Sequence, residues 1–252
     1  MHLVLVSPKL QPELSLASGS ILVQAAWCVE KPAYLNFAID ASRAGVEVML
    51  DYIHPSRSTT MVEVTIEKYV ELGAAIRPQT VVIPDAFKDR QLTLSRAAQF
   101  IEAVRGQDWY GAAKNAVVPQ GTTLDEYLMC ATELAALMRV DVFGVPKWLV
   151  QSEQRKAAEL SLGYLFPKTL QHRLGVWKGP CELFAKAAVP QLLRSWDMSM
   201  PWGFAQAGSS IDDSTQSTLK HSYYPDKLID AKLAAHNCLT VMELIRNGQA
   251  DS

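Results

Sequence analysis

Four polar residues stand directly after apolar runs, and their types suit them for chemistry. They are Asp51 after Val-Glu-Val-Met-Leu, Asp85 in Val-Val-Ile-Pro-Asp, Gln120 in Ala-Val-Val-Pro-Gln, and Asp197 in Leu-Leu-Arg-Ser-Trp-Asp. Carboxylates act as nucleophiles and move protons, and an amide beside a carboxylate can match the donor and acceptor edge of guanine. Each aspartate alone could equally cap a helix or form a turn. Only their convergence would favour a site that handles a purine.

Apolar runs that alternate with helical patterns would bring these residues together. Eight runs qualify as strands, at residues 3–6, 21–24, 46–50, 80–83, 116–118, 140–143, 173–176 and 192–195. Nearly continuous apolar runs are typical of parallel strands that are buried on both faces. The sequence therefore predicts an α/β fold, a (β/α)8 TIM barrel, as one domain over residues 1–252. Its active face would be formed by the loops that follow the strands.

Several segments between the strands carry recognisable signals. Thr123 begins a capping box, Thr93 can cap the helix that follows it, and residues 226–247 have the spacing of a long closing helix. Residues 54–60 and 201–216 fit no regular element. Because both follow proposed strands, we expect them to form a lid or a substrate loop.

Charge and cysteine usage limit the classes of function. The formal charge is −2 and the pI about 6.2, so any contact with nucleic acid must be local. The four cysteines form no paired motif, which argues against a zinc knuckle and a disulfide framework. The sequence shows no signal peptide and no apolar stretch near the ~20 residues of a membrane span. We expect a cytoplasmic protein without membrane contact.

A series of short motifs over residues 81–201 resembles the tRNA-guanine transglycosylases and their DNA-modifying relatives. Each motif is short, and specificity lies in their order and intervals. The series is Ile-Pro-Asp85, Pro-Gln120-Gly121 before the capped helix, Val-Phe-Gly144-Val-Pro, His172-Arg-Leu-Gly175, and Ser-Trp-Asp197-Met-Ser-Met-Pro201.

The resemblance implies a pentosyltransferase that exchanges one base for another. Asp197 would be the nucleophile, holding the sugar as a covalent ester until a second base attacks. Asp51 would protonate the departing base and accept a proton from the incoming one. The family follows this aspartate with Ser-Gly, whereas this chain has Tyr52-Ile53-His54. Either the loop is remodelled or His54 is an accessory group in the proton transfer.

The resemblance also implies a base-binding set. Asp85 would accept hydrogen bonds from N1 and the exocyclic amino group of a guanine-like base. Gln120, Gly121 and the backbone N–H near Gly144 would address the O6 side, although Gly144 could instead simply make a turn. Trp202 is interpreted first as a packing residue, and stacking on a flipped base is its accessory role.

No metal site or cofactor is expected. His172 is interpreted as a core or rim histidine, because no cluster of Cys or His accompanies it. The chain lacks the Cys-x-Cys-x-x-Cys and His zinc subdomain of transglycosylases that act on tRNA. With the resemblance to short, zinc-free proteins of phages and bacteria, this absence favours DNA as the substrate.

The expected reaction is replacement of guanine in DNA by a 7-deazaguanine such as preQ0. Extruding a base is costly, so a homodimer or an accessory protein is an expected partner. Candidates for phosphate contacts, otherwise solvated surface, are Arg57, Lys88, Arg90, Lys147, Arg194 and Lys220.

Three alternatives stay open. A tRNA-guanine transglycosylase would use the same residues, and a nucleoside or base glycosylase would let water complete the first displacement. A non-catalytic binding subunit is the third alternative, but such a subunit has no need for both Asp51 and Asp197.

Overall fold

A computed structural model of the protein describes residues 2–52, 62–151, 154–175, 187–211 and 224–250. Parallel strands close into a barrel in sequence order, β1 pairing with both β2 and β8. The eight strands are β1 His2–Val6, β2 Ser20–Gln24, β3 Glu47–Asp51, β4 Thr80–Val82, β5 Lys114–Val117, β6 Val142–Pro146, β7 Leu170–Leu174 and β8 Leu193–Met198. The predicted (β/α)8 barrel is confirmed.

Helices follow the strands and flank the barrel. Their bounds are α1 Ala25–Glu30, α2 Pro32–Arg43, α3 Ile66–Ile76, α4 Arg90–Ala103, α5 Asp108–Ala112, α6 Leu124–Leu137, α7 Trp148–Gln151, α8 Arg155–Leu165, α9 Met200–Gln206 and α10 Ala231–Ala250. Short 3-10 helices lie at Pro12–Ser18 and Pro190–Leu192. None of the helices in the described ranges is long and apolar enough to cross a membrane.

Successive side chains along each strand point to opposite faces of the sheet and therefore contribute to two apolar layers. One cluster fills the barrel with alternate side chains from successive strands, namely Val4, Leu22, Met49, Val82, Ala116, Val118 and Val142. Their neighbours in sequence, such as Val48 and Leu50, pack outward against the helices. This double burial explains why the strands read as apolar runs.

A polar cluster closes the N-terminal end of the barrel. Arg194 donates to the carboxylate of Glu47 and, over 3.1 Å, to the hydroxyl of Thr80. Ser20 donates to the same carboxylate at 2.9 Å. Arg194 is buried in this cluster, at the end of the barrel opposite the predicted active face. Its interpretation as a phosphate contact is therefore wrong. Arg90, another phosphate candidate, pairs with Glu133 on the helical layer.

β6, β7 and β8 differ most from their predicted bounds. β7 begins at Leu170 rather than at residue 173, and β6 extends to Pro146. Gly144 therefore lies within a strand, so its interpretation as a turn residue is wrong. β8 extends to Met198 and contains Asp197. The polar residues in β7 and β8 hid the extent of these two strands, because local patterns do not reveal the distant partners that allow polar groups to be buried.

Of the three helix predictions, one is confirmed and two are corrected. Thr123 caps α6 as predicted, accepting the backbone N–H of Glu126 at 3.2 Å. Thr93 does not cap α4, because Asp89 does so and Thr93 lies within the helix. The closing helix begins at Ala231 rather than at residue 226.

The segment that begins at Pro201 is partly helical, although it was expected to be irregular. Residues 201–206 are part of α9, so this portion of the proposed substrate loop is wrong. Pro201 occupies the first turn of α9, where its missing N–H costs no hydrogen bond. Residues 207–211 form no helix or strand, as predicted, and residues 54–60 and 212–216 lie outside the described residues.

Candidate active site

Asp197 faces the barrel interior at the C-terminal end of β8. Its Cα pairs with that of Val4, whose side chain belongs to the interior cluster. The residue is only 8% exposed. One carboxylate oxygen, Oδ1, accepts the backbone N–H of Gly175, and the other, Oδ2, lies 3.7 Å from Nε2 of His172. The carboxylate is thus held between the ends of β7 and β8.

His172 lies deeper in the barrel than Asp197. Its Cα pairs with that of Ser195, two residues before Asp197 on β8. The imidazole is buried, with Nδ1 2.7 Å from the Ser195 hydroxyl oxygen. The interpretation of His172 as a core histidine is confirmed. No group of three or more potential metal-binding side chains occurs within the described ranges.

Arg155 supports the turn that holds Asp197. The buried guanidinium donates to the carbonyl oxygens of Val145 at 3.2 Å, Leu174 at 2.8 Å and Gly175 at 3.2 Å. Gly175 has a φ of 68°, which an L side chain rarely adopts. Its positive φ and the Arg155 contacts fix the direction of the N–H that reaches Asp197. Sequence reasoning missed Arg155, which belongs to no recognisable motif.

Asp51 ends β3 and faces inward, because it alternates with Met49 of the interior cluster. Asp85 follows β4, the next strand of the barrel. Both carboxylates affect the pKa of the Tyr69 hydroxyl. This hydroxyl lies 2.8 Å from the carbonyl oxygens of Leu50 and Val82. Burial raises the pKa of Tyr69 well above its ordinary value, and the charges of Asp51 and Asp85 add to the rise. Because β3 and β4 are neighbouring parallel strands, Asp51 and Asp85 lie at the same end of the barrel.

Asp85 and Gln120 are in contact. Gln120 is completely buried and donates an amide N–H to Oδ2 of Asp85. Its amide oxygen accepts the backbone N–H of Lys88 at 3.0 Å, which fixes the orientation of the amide. Arg96 donates to the backbone carbonyl of Asp85 at 2.6 Å. The pair that sequence reasoning singled out is assembled and rigidly held.

The two proposed base-binding glycines allow close packing. A Cβ on Gly121 would lie 2.6 Å from Cβ of Glu126, so Gly121 lets the chain pass against the first turn of α6. A Cβ on Gly144 would lie 2.8 Å from Val118 and 2.9 Å from Leu174. Since these side chains lie over Gly144, a base would reach its backbone only if they shift. The base-binding roles of both glycines stay predictions.

The remaining candidates have different outcomes. Trp202 is fully buried in an apolar cluster with residues of α10, and its indole N–H donates to the carbonyl of Val6 at 2.7 Å. The structure therefore gives Trp202 a packing role, and it offers no accessible surface for base stacking. His54 and the phosphate candidates Arg57 and Lys220 lie outside the described residues.

Gln24 was missed by sequence reasoning. It ends β2, its Cα pairs with that of Asp51, and it is buried. Its amide oxygen has no hydrogen-bond partner among the described residues, so it can accept a hydrogen bond from a ligand in the mouth. The signal was present, because Gln24 follows the apolar run Ile-Leu-Val just as Asp51 follows its own run.

Comparison with protein-family models finds no match to this chain, and comparison with curated proteins finds none either.

Proposed function

We propose that this protein is a base-exchange glycosyltransferase that replaces guanine in DNA with a 7-deazaguanine base of the preQ0 type. The observation that carries the proposal is the inward-facing carboxylate of Asp197, anchored by the N–H of Gly175 at the C-terminal end of the barrel. In TIM-barrel enzymes this end holds the catalytic groups. Asp51 and the Asp85–Gln120 pair end or follow other strands at the same face.

The first displacement would form a covalent ester. A carboxylate oxygen of Asp197 attacks C1′ of the target nucleotide, the bond from C1′ to the base nitrogen breaks, and the electron pair leaves with guanine. Asp51 in its acid form donates a proton to the departing base. The N–H of Gly175 keeps the carboxylate oriented before the attack.

The second displacement would reverse these roles. Asp51, now ionised, takes a proton from the incoming base, whose ring nitrogen attacks C1′ and releases the Asp197 carboxylate. Two inversions at C1′ retain the configuration of the sugar.

Base recognition would fall to Asp85 and Gln120. A guanine-like base offers two adjacent donors, N1–H and the exocyclic amino group, which a carboxylate can accept. Gln120 is completely buried and already donates one amide N–H to Asp85, so its second N–H would reach the O6 side of the base only if the residues that cover it move. The fixed amide orientation supports recognition of an acceptor at that position.

DNA as the substrate is supported by the sequence alone. The chain has no Cys-rich zinc subdomain of the tRNA-modifying type. Its net charge of −2 favours neither nucleic acid and means that binding would need local contacts or a partner. Extruding a base from a duplex costs a few kcal/mol. A second copy of the chain or an accessory protein would help to hold the distorted duplex.

Detection of the covalent intermediate tests the mechanism. Wild-type protein is mixed with duplex DNA without an incoming base, quenched in acid and analysed by denaturing electrophoresis and intact mass. The expected result is a protein–DNA adduct that maps to Asp197 and is absent in Asp197→Asn. The matched control is Asp40→Asn, since Asp40 is exposed on α2. An adduct of equal yield in Asp197→Asn would contradict the assignment of the nucleophile.

A further inference from the structure

We infer that His172 is a positioning residue for the Asp197 carboxylate, acting through an Nε2–H directed at Oδ2. The inference rests on the proposed function and deepens it. Nε2 lies 3.7 Å from Oδ2 and has no hydrogen-bond partner in the described part of the chain. The histidine is only 2% exposed. A buried imidazole nitrogen that faces a carboxylate requires an explanation.

The contact with Ser195 decides between the two neutral tautomers. The Ser195 hydroxyl can donate to Nδ1 or accept from it across 2.7 Å. If Nδ1 carried the proton, the lone pair of Nε2 would face the carboxylate of Asp197, which is unfavourable. If Ser195 donates to Nδ1, Nε2 carries the proton and presents it to Oδ2. The geometry therefore favours Nε2–H.

Asp197 then has a donor on each oxygen. The backbone N–H of Gly175 holds Oδ1, and the Nε2–H of His172 faces Oδ2. A second donor would restrict rotation of the carboxylate more than the N–H of Gly175 does alone. The distance of 3.7 Å exceeds that of a hydrogen bond, so the two atoms would have to approach by about 0.5 Å to form one. Orientation of a nucleophile is a large part of its reactivity.

Variants at position 172 test this role through the division between kcat and KM. His172→Leu removes the donor and is expected to lower kcat for base exchange by about 10- to 100-fold while KM for preQ0 stays the same. His172→Gln keeps an N–H near the place of Nε2 and is expected to recover most of the loss. His236→Leu, at an exposed position on α10, is the control. An unchanged kcat in folded His172→Leu protein would overturn the inference, as would equal losses in the two variants at position 172.

Imidazole NMR tests the contact without substrate. The ¹⁵N spectrum of wild-type protein is expected to show the Nε2–H tautomer of His172, with a proton resonance that moves in Asp197→Asn. Comparison with His172→Gln assigns the signal among the five histidines. A proton on Nδ1, or no response to Asp197→Asn, would overturn the inference. If NMR shows the contact but wild-type protein exchanges no base, the proposed function fails while the contact stands.

Discussion

Gln120 donates a side-chain N–H to the carboxylate of Asp85, while its amide oxygen accepts the backbone N–H of Lys88 at 3.0 Å. The amide can therefore not reverse without losing both bonds. In the proposed function, Asp85 accepts hydrogen bonds from a base that offers two donors. The two residues are 35 positions apart in the chain, but β4 and β5 are neighbours in the barrel.

Removal of the Asp85 charge should weaken base binding. Asp85→Asn is expected to raise KM for preQ0 by about 10- to 100-fold, because hydrogen bonds to a charged group are worth about 1.5–3 kcal/mol. Initial rates over a range of preQ0 concentrations measure the change. Asp108→Asn, exposed at the start of α5, should behave as wild type. An unchanged KM would argue against base recognition by Asp85.

Gly144 is needed for packing inside the barrel. Gly144→Ala would place a Cβ 2.8 Å from Val118 and 2.9 Å from Leu174, so we expect a loss of about 1–3 kcal/mol in the free energy of unfolding. Val118→Ala in the same chain should recover part of that loss. Urea denaturation measures both. Gly111→Ala is the control, because a Cβ there meets nothing within 4 Å. Equal stability of Gly144→Ala and Gly111→Ala would contradict the packing role.

Arg173 serves the fold rather than the chemistry. Its guanidinium pairs with Glu159, with Nη2 2.8 Å from Oε2, and lies 4.4 Å from the ring centroid of Trp196. Both charged residues are buried. Arg173→Met should therefore cost about 3–5 kcal/mol in the free energy of unfolding, because it leaves a buried carboxylate uncompensated.

A double-mutant cycle measures the interaction between Arg173 and Glu159 separately from the other contacts of each residue. The double variant Arg173→Met/Glu159→Met should be more stable than Arg173→Met alone, since no charge is left buried. Arg105→Met breaks an exposed pair with Glu102 and should change stability by less than about 1 kcal/mol. A double variant less stable than both single variants would contradict the prediction.

The buried cysteines should be unreactive in the folded protein. Burial raises the pKa of Cys28 and of Cys238 to about 12, and that of Cys130 to about 11, from an ordinary value of 9.0. In a Cys181→Ser background, a disulfide reagent at pH 8 is expected to label none of the three until the protein unfolds. Rapid labelling of native protein would contradict their burial.

The same pKa shifts set the direction of a stability change at high pH. Between about pH 9 and pH 11 the folded state holds more thiol protons than the unfolded state. The free energy of unfolding should therefore fall as pH rises through this window. Substitution of Cys28 by alanine should reduce the slope, which denaturation at several pH values would measure. An unchanged slope would argue against a raised thiol pKa at this position.

The barrel could be predicted from sequence because its strands are buried on both faces and form apolar runs. The predicted bounds of β7 were the least accurate, because this strand contains the polar residues Gln171, His172 and Arg173. Glu159 accepts hydrogen bonds from Gln171 and Arg173, and Ser195 contacts Nδ1 of His172, so partners on other elements allow these side chains to be buried. Such partners are distant in the chain and leave no local pattern.

The sequence predicted some residues of the candidate site and missed others, because local patterns do not show which distant residues will be in contact. Polar residues after apolar runs identified Asp51, Asp85, Gln120 and Asp197, and the Asp85–Gln120 contact is present. The packing role that was favoured for Trp202 is confirmed, and its use in base stacking could be excluded only in the folded chain, where α10 packs against α9. Arg155 could not have been found, because its contacts to three carbonyl oxygens depend on backbone positions alone.

Incorporation of labelled preQ0 into duplex DNA and, in parallel, into tRNA would decide whether this protein exchanges bases in DNA. Wild-type protein and Asp197→Ala are compared under the same conditions. We expect label in DNA that disappears with Asp197→Ala. Label only in tRNA would contradict DNA as the substrate, and equal labelling of DNA by Asp197→Ala would contradict the mechanism. An absence of label in both nucleic acids would contradict base exchange by this protein alone.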